Sequence, residues 1–205
     1  MMKLISAIKT RRSVRSYQSK PVPKKVIKEL IELANLAPTA DGQENRRFII
    51  VDDPKIKQTL WQAAFKQSHA QEAPVIVAAC YATNLFQPAP FIKDCKGWGV
   101  NLWNTNEKNY KTHQQFKKNW HIWTRRWPIQ DADAAIATFC LAATAKGLST
   151  CWMGLFDHDQ VRKALKLPRN YQIAALITLG YQKKSPYPQK RRPVKQLLHW
   201  NSWSS

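Results

Sequence analysis

An uninterrupted apolar run at residues 73–81, APVIVAACY, constrains the fold of this chain more than any other segment. A strand with apolar side chains on both faces has to be buried on both faces, because a solvated face would carry polar residues at every second position. A second such run, IAALITL, occupies residues 173–179, and shorter strands are predicted at 48–51 and 150–155. The sequence therefore predicts a central sheet flanked by helices.

Four segments with helical periodicity lie between these strands. They are predicted at residues 23–37, 54–64, 133–146 and 157–167. Pro23 opens the first of these segments, and proline is favoured at a first helical position. Gly147 follows the third segment, and glycine is favoured just beyond the end of a helix. Because helices and strands mix without a regular strand–helix–strand rhythm, the predicted fold class is α+β. The length fits a single domain over residues 1–205.

Residues 84–130 differ in character from the rest of the chain. They are rich in tryptophan and lysine, show weak periodicity and hold few aliphatic side chains. We interpret the segment as an insertion or lid, because it has too few aliphatic side chains for a core of its own. Residues 183–205 form a basic C-terminal extension.

The chain carries 33 lysines and arginines against 13 aspartates and glutamates, a formal net charge of +20. Much of the excess lies in two acid-free clusters: eight basic residues in the first 25 positions and six between positions 183 and 195. Either both ends are solvated, or both converge on one phosphate, which the planar fork of arginine binds through two hydrogen bonds. A nucleic-acid surface is a third reading, but no helix-turn-helix, RNP-type or zinc-finger pattern favours it.

Cysteine usage and hydropathy exclude further classes of protein. No run of about 18 apolar residues exists, so no membrane-spanning helix is predicted. Cys80, Cys140 and Cys151 lie in apolar runs and are interpreted as reduced core thiols, which suits a cytoplasmic location. Cys95 is predicted to be the most exposed cysteine. No CxxC pair is present, and no metal site is predicted.

Two short segments have two interpretations each. The N-terminal segment is either a transit peptide or an amphipathic helix through Leu4, Ile5 and Ile8 that leads into a functional basic turn; we favour the helix. The acidic and histidine residues at 157–159 suggest a metal or acid–base site, but their place at a helix start favours capping.

The order of five motifs resembles the FMN-dependent nitroreductase family. The motifs are IKTRRSVR at 8–15, LANLAPT at 33–39, RFIIV at 47–51, GLSTCWMGLFD at 147–157, and ALITLGY at 175–181 with KRRP at 190–193. The resemblance implies a nitroreductase-like fold with a central, mostly antiparallel sheet, and an intertwined homodimer with FMN at the subunit interface. It also implies an FMN-dependent oxidoreductase that takes electrons from NADH or NADPH.

The implied reaction is the transfer of two electrons by a ping-pong mechanism to a small-molecule acceptor, which is nitro-aromatic, quinone-like or similarly flat. A different flavin-linked role within the same fold is the alternative: dehalogenation, flavin breakdown or flavin binding without turnover. A basic nucleic-acid-binding protein is the less favoured alternative from another class.

The matching motif positions imply the contacts to FMN. Phosphate and ribityl contacts are implied for the basic turn and the tail: Arg11, Arg12 and Ser13, together with Lys190, Arg191 or Arg192. Ring contacts are implied for three other segments. These are Pro38, Thr39, Ala40 and Gly42 from the partner subunit, then Lys66, Gln67 or His69 ahead of the strand at 73–81, and Met153, Gly154 and Leu155 near the reactive N5. Arg15 would approach the pyrimidine edge. No side chain is implied as catalytic; Arg15 and His69 would give electrostatic support.

One loop departs from the family pattern. After Pro38-Thr39 the family usually has an asparagine and then Gln-Pro-Trp, whereas this chain has Gly42, Glu44, Asn45 and Arg46. The amide that meets the flavin ring is therefore missing at position 42. A loop shifted by one residue would supply Gln43 or Asn45 instead; otherwise the departure would alter FMN affinity or the potential of the flavin.

The segment at 84–130 lies where the family varies most. Its aromatic side chains would stack on a flat acceptor, roof the flavin or pack at the edge of the dimer.

Overall fold

The computed structural model describes residues 2–42, 44–83 and 110–203. The helices are α1 Leu4–Thr10, α2 Lys24–Asn35, α3 Pro54–Ala63, α4 Ser68–Glu72, α5 Tyr110–Ala145 and α6 His158–Ala164. The strands are β1 Arg46–Val51, β2 Val75–Ala82, β3 Ser149–Met153 and β4 Tyr171–Gly180. Short 3₁₀ turns occupy Ala40–Gly42 and Val194–Gln196.

The four strands form one sheet in the order β1-β2-β4-β3, and every neighbouring pair is antiparallel. The two apolar runs that were predicted to be buried, β2 and β4, are the two central strands, with Val77 opposite Ile177. Central strands are covered on both faces, which is why they need no polar side chain at alternate positions. The predicted α+β class with a central antiparallel sheet is confirmed.

Alternate residues of β2 and β4 supply two hydrophobic cores. Val77 and Ile177 pack on one face with Leu30 of α2 and Phe139 of α5. Ile76 and Leu176 belong to the core on the opposite face, which also holds residues of α3 and α6. The sheet is therefore enclosed by helices on both faces, as the sequence predicts.

Two helix starts are capped by aspartate. The Asp53 carboxylate accepts a hydrogen bond from the backbone N–H of Ile56 at the start of α3. The Asp157 carboxylate accepts from the N–H groups of Asp159 and Gln160 at the start of α6. These bonds satisfy N–H groups that have no partner within the helix, so the capping interpretation of residues 157–159 is confirmed.

The sequence predicts a helix that begins near position 133, whereas helix α5 begins at Tyr110. An apolar stripe arises only where a helix face packs on other elements, and from Asp131 onward α5 buries Ala132, Ala135, Ile136 and Phe139. The second half of the predicted insertion is therefore continuous with a core helix. Residues 84–109 of that insertion, with Cys95, lie outside the described residues.

The N-terminal helix is confirmed as α1, but its apolar side chains are not buried in the single chain. Ala7 is buried, whereas Leu4, Ile5 and Ile8 are exposed.

Among the described residues, no helix is long and apolar enough to cross a membrane. The three described cysteines are buried free thiols. Burial raises the pKa of the Cys80 thiol to about 12, so this thiol stays protonated at neutral pH.

Candidate flavin-binding site

The basic turn after α1 lies against strand β3. The backbone N–H of Val14 donates to the Thr150 carbonyl over 2.9 Å, and Ser13 pairs with Thr150 in a parallel bridge. The buried Tyr17 hydroxyl lies 2.9 Å from the Val14 carbonyl, to which it donates, and 2.7 Å from Thr178 Oγ1. Burial raises the pKa of Tyr17 well above its ordinary value, so the hydroxyl stays protonated. Tyr17 therefore turns the Val14 carbonyl inward and holds the turn in place.

A polar cavity of about 230 Å³ opens beside this turn. Its lining is made of cationic, hydroxyl, amide and small apolar groups: Thr10, Arg11, Arg12, Val14, Thr144, Gly147, Leu148, Ser149 and Gln182. Guanidinium and hydroxyl groups are the donors that bind phosphate oxygens. The donor set thus fits the phosphate end of a nucleotide-like cofactor.

The two arginines of the cavity differ in their surroundings. Arg12 Nη1 donates to the backbone carbonyls of Lys9 and Arg11, each over 2.8 Å. These carbonyls lie at the end of α1, where helix carbonyls lack partners within the helix. Arg12 therefore helps to end the helix, which leaves Arg11 as the better placed of the two for an external anion.

His69 of α4 is a buried polar side chain with an unmet hydrogen-bonding atom. It is 5% exposed, and no described residue hydrogen-bonds its Nε2. Burial lowers the pKa of His69, the positive charge of Arg15 lowers it further, and Glu72 opposes the shift. The imidazole is therefore uncharged at neutral pH. An unpartnered buried nitrogen costs free energy unless a ligand atom meets it, so His69 fits a cofactor beside Arg15.

Helix α4 and the end of β3 are joined by a side chain. Gln67 Nε2 donates to the Leu155 carbonyl over 2.8 Å and to the Ala64 carbonyl over 2.9 Å. The two residues before Gln67, Phe65 and Lys66, have φ angles of 53° and 58°, in the left-handed region that non-glycine residues rarely adopt. Such strain persists where surrounding contacts enforce it, and it is common at binding sites.

Two predicted segments thus come together. Lys66 and His69 flank Gln67, whose side chain is bonded to Leu155 of the predicted 153–155 segment. In that segment Met153 is buried, while Gly154 and Leu155 are exposed. Arg11 and Arg15 are near enough to Cys151 of β3 for their charges to lower its pKa, although burial raises that pKa overall. The residues from Arg11 to Arg15 therefore run along β3 toward α4.

Two other predicted groups do not reach this cavity in the single chain. Among the described residues, neither Pro38, Thr39, Ala40 and Gly42 nor the tail residues Lys190, Arg191 and Arg192 line it. The tail begins next to the turn, since Lys183 N–H donates to the Ser16 carbonyl over 3.0 Å. Further along the tail, Arg191 is exposed and donates to Gln189 Oε1. Their contacts to FMN stay predictions.

Asn45, one of the two suggested sources of the missing flavin amide, is directed inward in the single chain, and its contact to FMN stays a prediction. Asn45 is fully buried, and its Nδ2 donates to Asp131 Oδ2 over 2.7 Å. The Asn45 amide nitrogen is therefore engaged inside the chain, whereas its Oδ1 has no hydrogen-bond partner among the described residues. Gln43, the other suggestion, lies outside the described residues.

Sequence reasoning missed Asp131, Tyr17 and Thr178 as residues that shape the site. Asp131 lies four residues before the buried Ala135, on the inward face of α5. A carboxylate on an otherwise apolar helix face needs buried hydrogen-bond partners. The position of Asp131 among apolar residues was therefore the signal in the sequence that could have identified it. Tyr17 and Thr178 are 161 positions apart, and no local pattern links them.

The described sheet and helices define the chain as a protein with the nitroreductase fold. A provisionally assigned nitroreductase of Exiguobacterium sibiricum, solved in complex with FMN, superposes with a TM-score of 0.77 at 20% identity, over 98% of each chain. The chain belongs to the nitroreductase family, whose model matches residues 8–181. The resemblance carried by the five motifs is thereby confirmed.

Relatives in this family match over nearly the whole chain. An NADH dehydrogenase of Thermus thermophilus is 31% identical over 190 residues, which are 93% of this chain and 92% of that protein. The provisionally assigned NAD(P)H nitroreductase MhqN of Bacillus subtilis is 26% identical over 209 residues, covering 98% of this chain and 100% of that protein.

Proposed function

We propose that this oxidoreductase of the nitroreductase family binds FMN and transfers two electrons from NADH or NADPH to a flat small-molecule acceptor of the nitro-aromatic or quinone type. The observation that carries the proposal is the unpartnered Nε2 of buried His69, near Arg15 and at the far end of a turn that begins at the Arg11 cavity. The end at the Arg11 cavity suits the phosphate of FMN, and the polar, partly apolar end at His69 suits its flavin ring.

The chain's own residues would bind and orient this cofactor. Arg11 holds the phosphate, helped by Arg12 and Ser13. Arg15 puts positive charge near the pyrimidine edge, and uncharged His69 offers a hydrogen-bonding nitrogen close by. Fixed charges and donors next to a reacting group stabilise charge that develops there. When bound, FMN supplies the two-electron hydride chemistry, and no side chain has to act as a nucleophile.

A second copy of the chain would complete the site as a homodimer. Exposed apolar side chains occur on α1 and along the tail: Leu4, Ile5, Ile8, Val194, Leu197, Leu198, Trp200 and Trp203. Helix α2 and strand β1 line a groove of about 540 Å³ that includes Ile27, Ile31, Phe48 and Ile50. Clustered apolar side chains on the surface are typical of an interface. In this dimer Pro38, Thr39, Ala40 and Gly42 serve the partner's flavin, and Lys190, Arg191 or Arg192 closes on a phosphate.

The colour and turnover of the purified protein test the function. We expect a yellow protein with one releasable FMN per subunit, which oxidises NADH or NADPH when a quinone or nitro-aromatic compound is supplied. A colourless protein that takes up no added FMN would contradict the proposal. FMN binding without acceptor-dependent oxidation would point to another flavin-linked role, and salt-sensitive DNA retention by a flavin-free protein to nucleic-acid binding.

Removal of residues 194–203 tests the homodimer. We expect the full chain to sediment as a dimer and the shortened chain as a monomer with weakened FMN binding, because the exposed apolar side chains of the tail are lost. Lys195→Ala removes a charge from the same segment and no apolar side chain, so this variant should stay dimeric. A monomeric full chain, or a shortened dimer with unchanged FMN affinity, would refute the assignment.

The buried free thiols support a reducing compartment such as the cytoplasm as the location of the protein.

A further inference from the structure

A buried polar cluster lies beneath the loop that follows α2. Asn45, Arg46 and Asp131 are 0%, 6% and 5% exposed, respectively. Charged side chains are rarely buried unless they have partners, because removal from water is costly. The partners of this cluster are therefore informative, and they are mainly backbone groups of residues 35–40.

Arg46 binds the carbonyl side of the loop. Its Nη2 donates to the Asn35 carbonyl over 3.1 Å, and its Nη1 donates to the Ala37 carbonyl over 3.0 Å and more distantly to Pro38. The Asn35 carbonyl lies at the C-terminal end of α2, where helix carbonyls lack partners and the helix dipole favours a cation, and the other two carbonyls lie in the loop just beyond. The guanidinium thereby fixes where α2 ends and how the chain leaves it.

Asp131 of α5 binds the amide side of the same loop. Its Oδ1 accepts from the backbone N–H of Ala40 over 2.9 Å, and its Oδ2 accepts from Asn45 Nδ2 over 2.7 Å. The Asn45 carbonyl in turn accepts from Ala82 N–H at the end of β2. Burial raises the pKa of Asp131, and the two hydrogen bonds and the positive charge of Arg46 oppose that shift. The loop is thus held between the sheet and α5 from both sides.

We propose that Asp131 and Arg46 are positioning residues that preform residues 37–42 for contact with the flavin of the partner subunit. This inference rests on the proposed function. It accounts for the departure at positions 45 and 46: this chain uses these two side chains inside the protein to order the loop. A loop that is ordered before binding loses less conformational entropy when the ligand arrives, so the ligand binds more tightly.

Two conservative variants test the inference through FMN affinity. Arg46→Lys keeps the positive charge and loses the planar guanidinium that donates to several carbonyls. Asp131→Asn keeps the shape of the side chain and replaces one of its two acceptor oxygens. We expect each to weaken FMN binding about tenfold, measured by flavin fluorescence, and to alter the visible circular dichroism of the bound flavin. Neither side chain needs to contact the flavin for this result.

Arg162 offers a matched control. Its guanidinium also donates to several backbone carbonyls, those of Pro168, Arg169 and Tyr171, but in the loop after α6. Arg162→Lys should lower the melting temperature as Arg46→Lys does and leave FMN affinity and the flavin spectrum unchanged. Equal losses of affinity in both variants would mean that general stability is responsible, and would overturn the inference.

Hydrogen exchange of the unaltered protein gives a second readout that needs no variant to fold. The Ala40 amide should be protected in the FMN-free protein, since it is already bonded to Asp131. Exchange at the rate of a free amide would overturn the inference, as would wild-type FMN affinity in Arg46→Lys and Asp131→Asn. Absence of FMN binding by the wild-type protein would instead reject the proposed function, and the inference with it.

Discussion

Replacement of Arg11 by alanine should weaken FMN binding about a hundredfold and leave the fold intact. Arg11 lines the polar cavity beside β3, and a guanidinium bound to a phosphate forms charge-assisted hydrogen bonds. Such bonds contribute about 1.5–3 kcal/mol each, and every 1.4 kcal/mol changes a dissociation constant about tenfold. Fluorescence titration of FMN into the apoprotein measures the affinity, and thermal unfolding of the apoprotein checks the fold.

Arg169→Ala is the control, because Arg169 is an exposed arginine outside the cavity lining. It should bind FMN as the wild-type protein does. Unchanged FMN affinity in Arg11→Ala would reject the phosphate site. Arg192→Ala, alone and combined with Arg11→Ala, then tests whether the tail reaches the same phosphate. If it does, the two losses of binding free energy will not add.

Replacement of Gly180 by alanine should lower the free energy of unfolding by about 1–3 kcal/mol. An added Cβ at this position would lie 2.6 Å from Pro74 Cδ and 2.9 Å from Tyr17 Cδ1. Tyr17 cannot easily move aside, because its hydroxyl is hydrogen-bonded to Val14 and Thr178. The strain should therefore reach the basic turn, and FMN affinity should fall together with stability.

Denaturant unfolding and FMN titration of the same samples measure both effects. Gly154→Ala is the steric control for stability, because no atom lies within 4 Å of the Cβ that it would add. Its free energy of unfolding should be no lower than that of the wild type, since alanine also reduces the conformational entropy of the unfolded chain. A Gly180→Ala protein of wild-type stability would show that Pro74 and Tyr17 yield without cost, contrary to the close packing described for this corner of the sheet.

The strands were predictable because burial on both faces leaves a local mark in the sequence. The central strands β2 and β4 coincide with the two uninterrupted apolar runs, and Asp53 and Asp157 mark helix starts through bonds to residues two or three positions away. The family was predictable because five motifs keep their order along the chain. Helix α5 was predicted too short, since a periodic pattern shows only the part that packs on the sheet.

The candidate site was predictable only in part. The turn at 11–15, His69 and the 153–155 segment were identified by their positions in motifs, and the structure puts them along β3 and α4. The tail residues 190–192 and the loop at 38–42 do not line the same cavity in one chain. The partner-subunit role of the 38–42 loop came only from the family resemblance, because the position of a motif in the sequence does not show on which side of the sheet the segment lies.

The sequence by itself determined the fold class, the family and the acid-free clusters from which the phosphate site was inferred. These depend on residues that are close together in the chain or in a fixed order. Only the tertiary structure decided that Arg12 closes its own helix, that His69 keeps an unmet nitrogen, and that Asn45 turns inward to Asp131, 86 positions away. The hydrogen-bond partners of a side chain, near or distant in the sequence, leave no periodic signal, so only the folded chain reveals them.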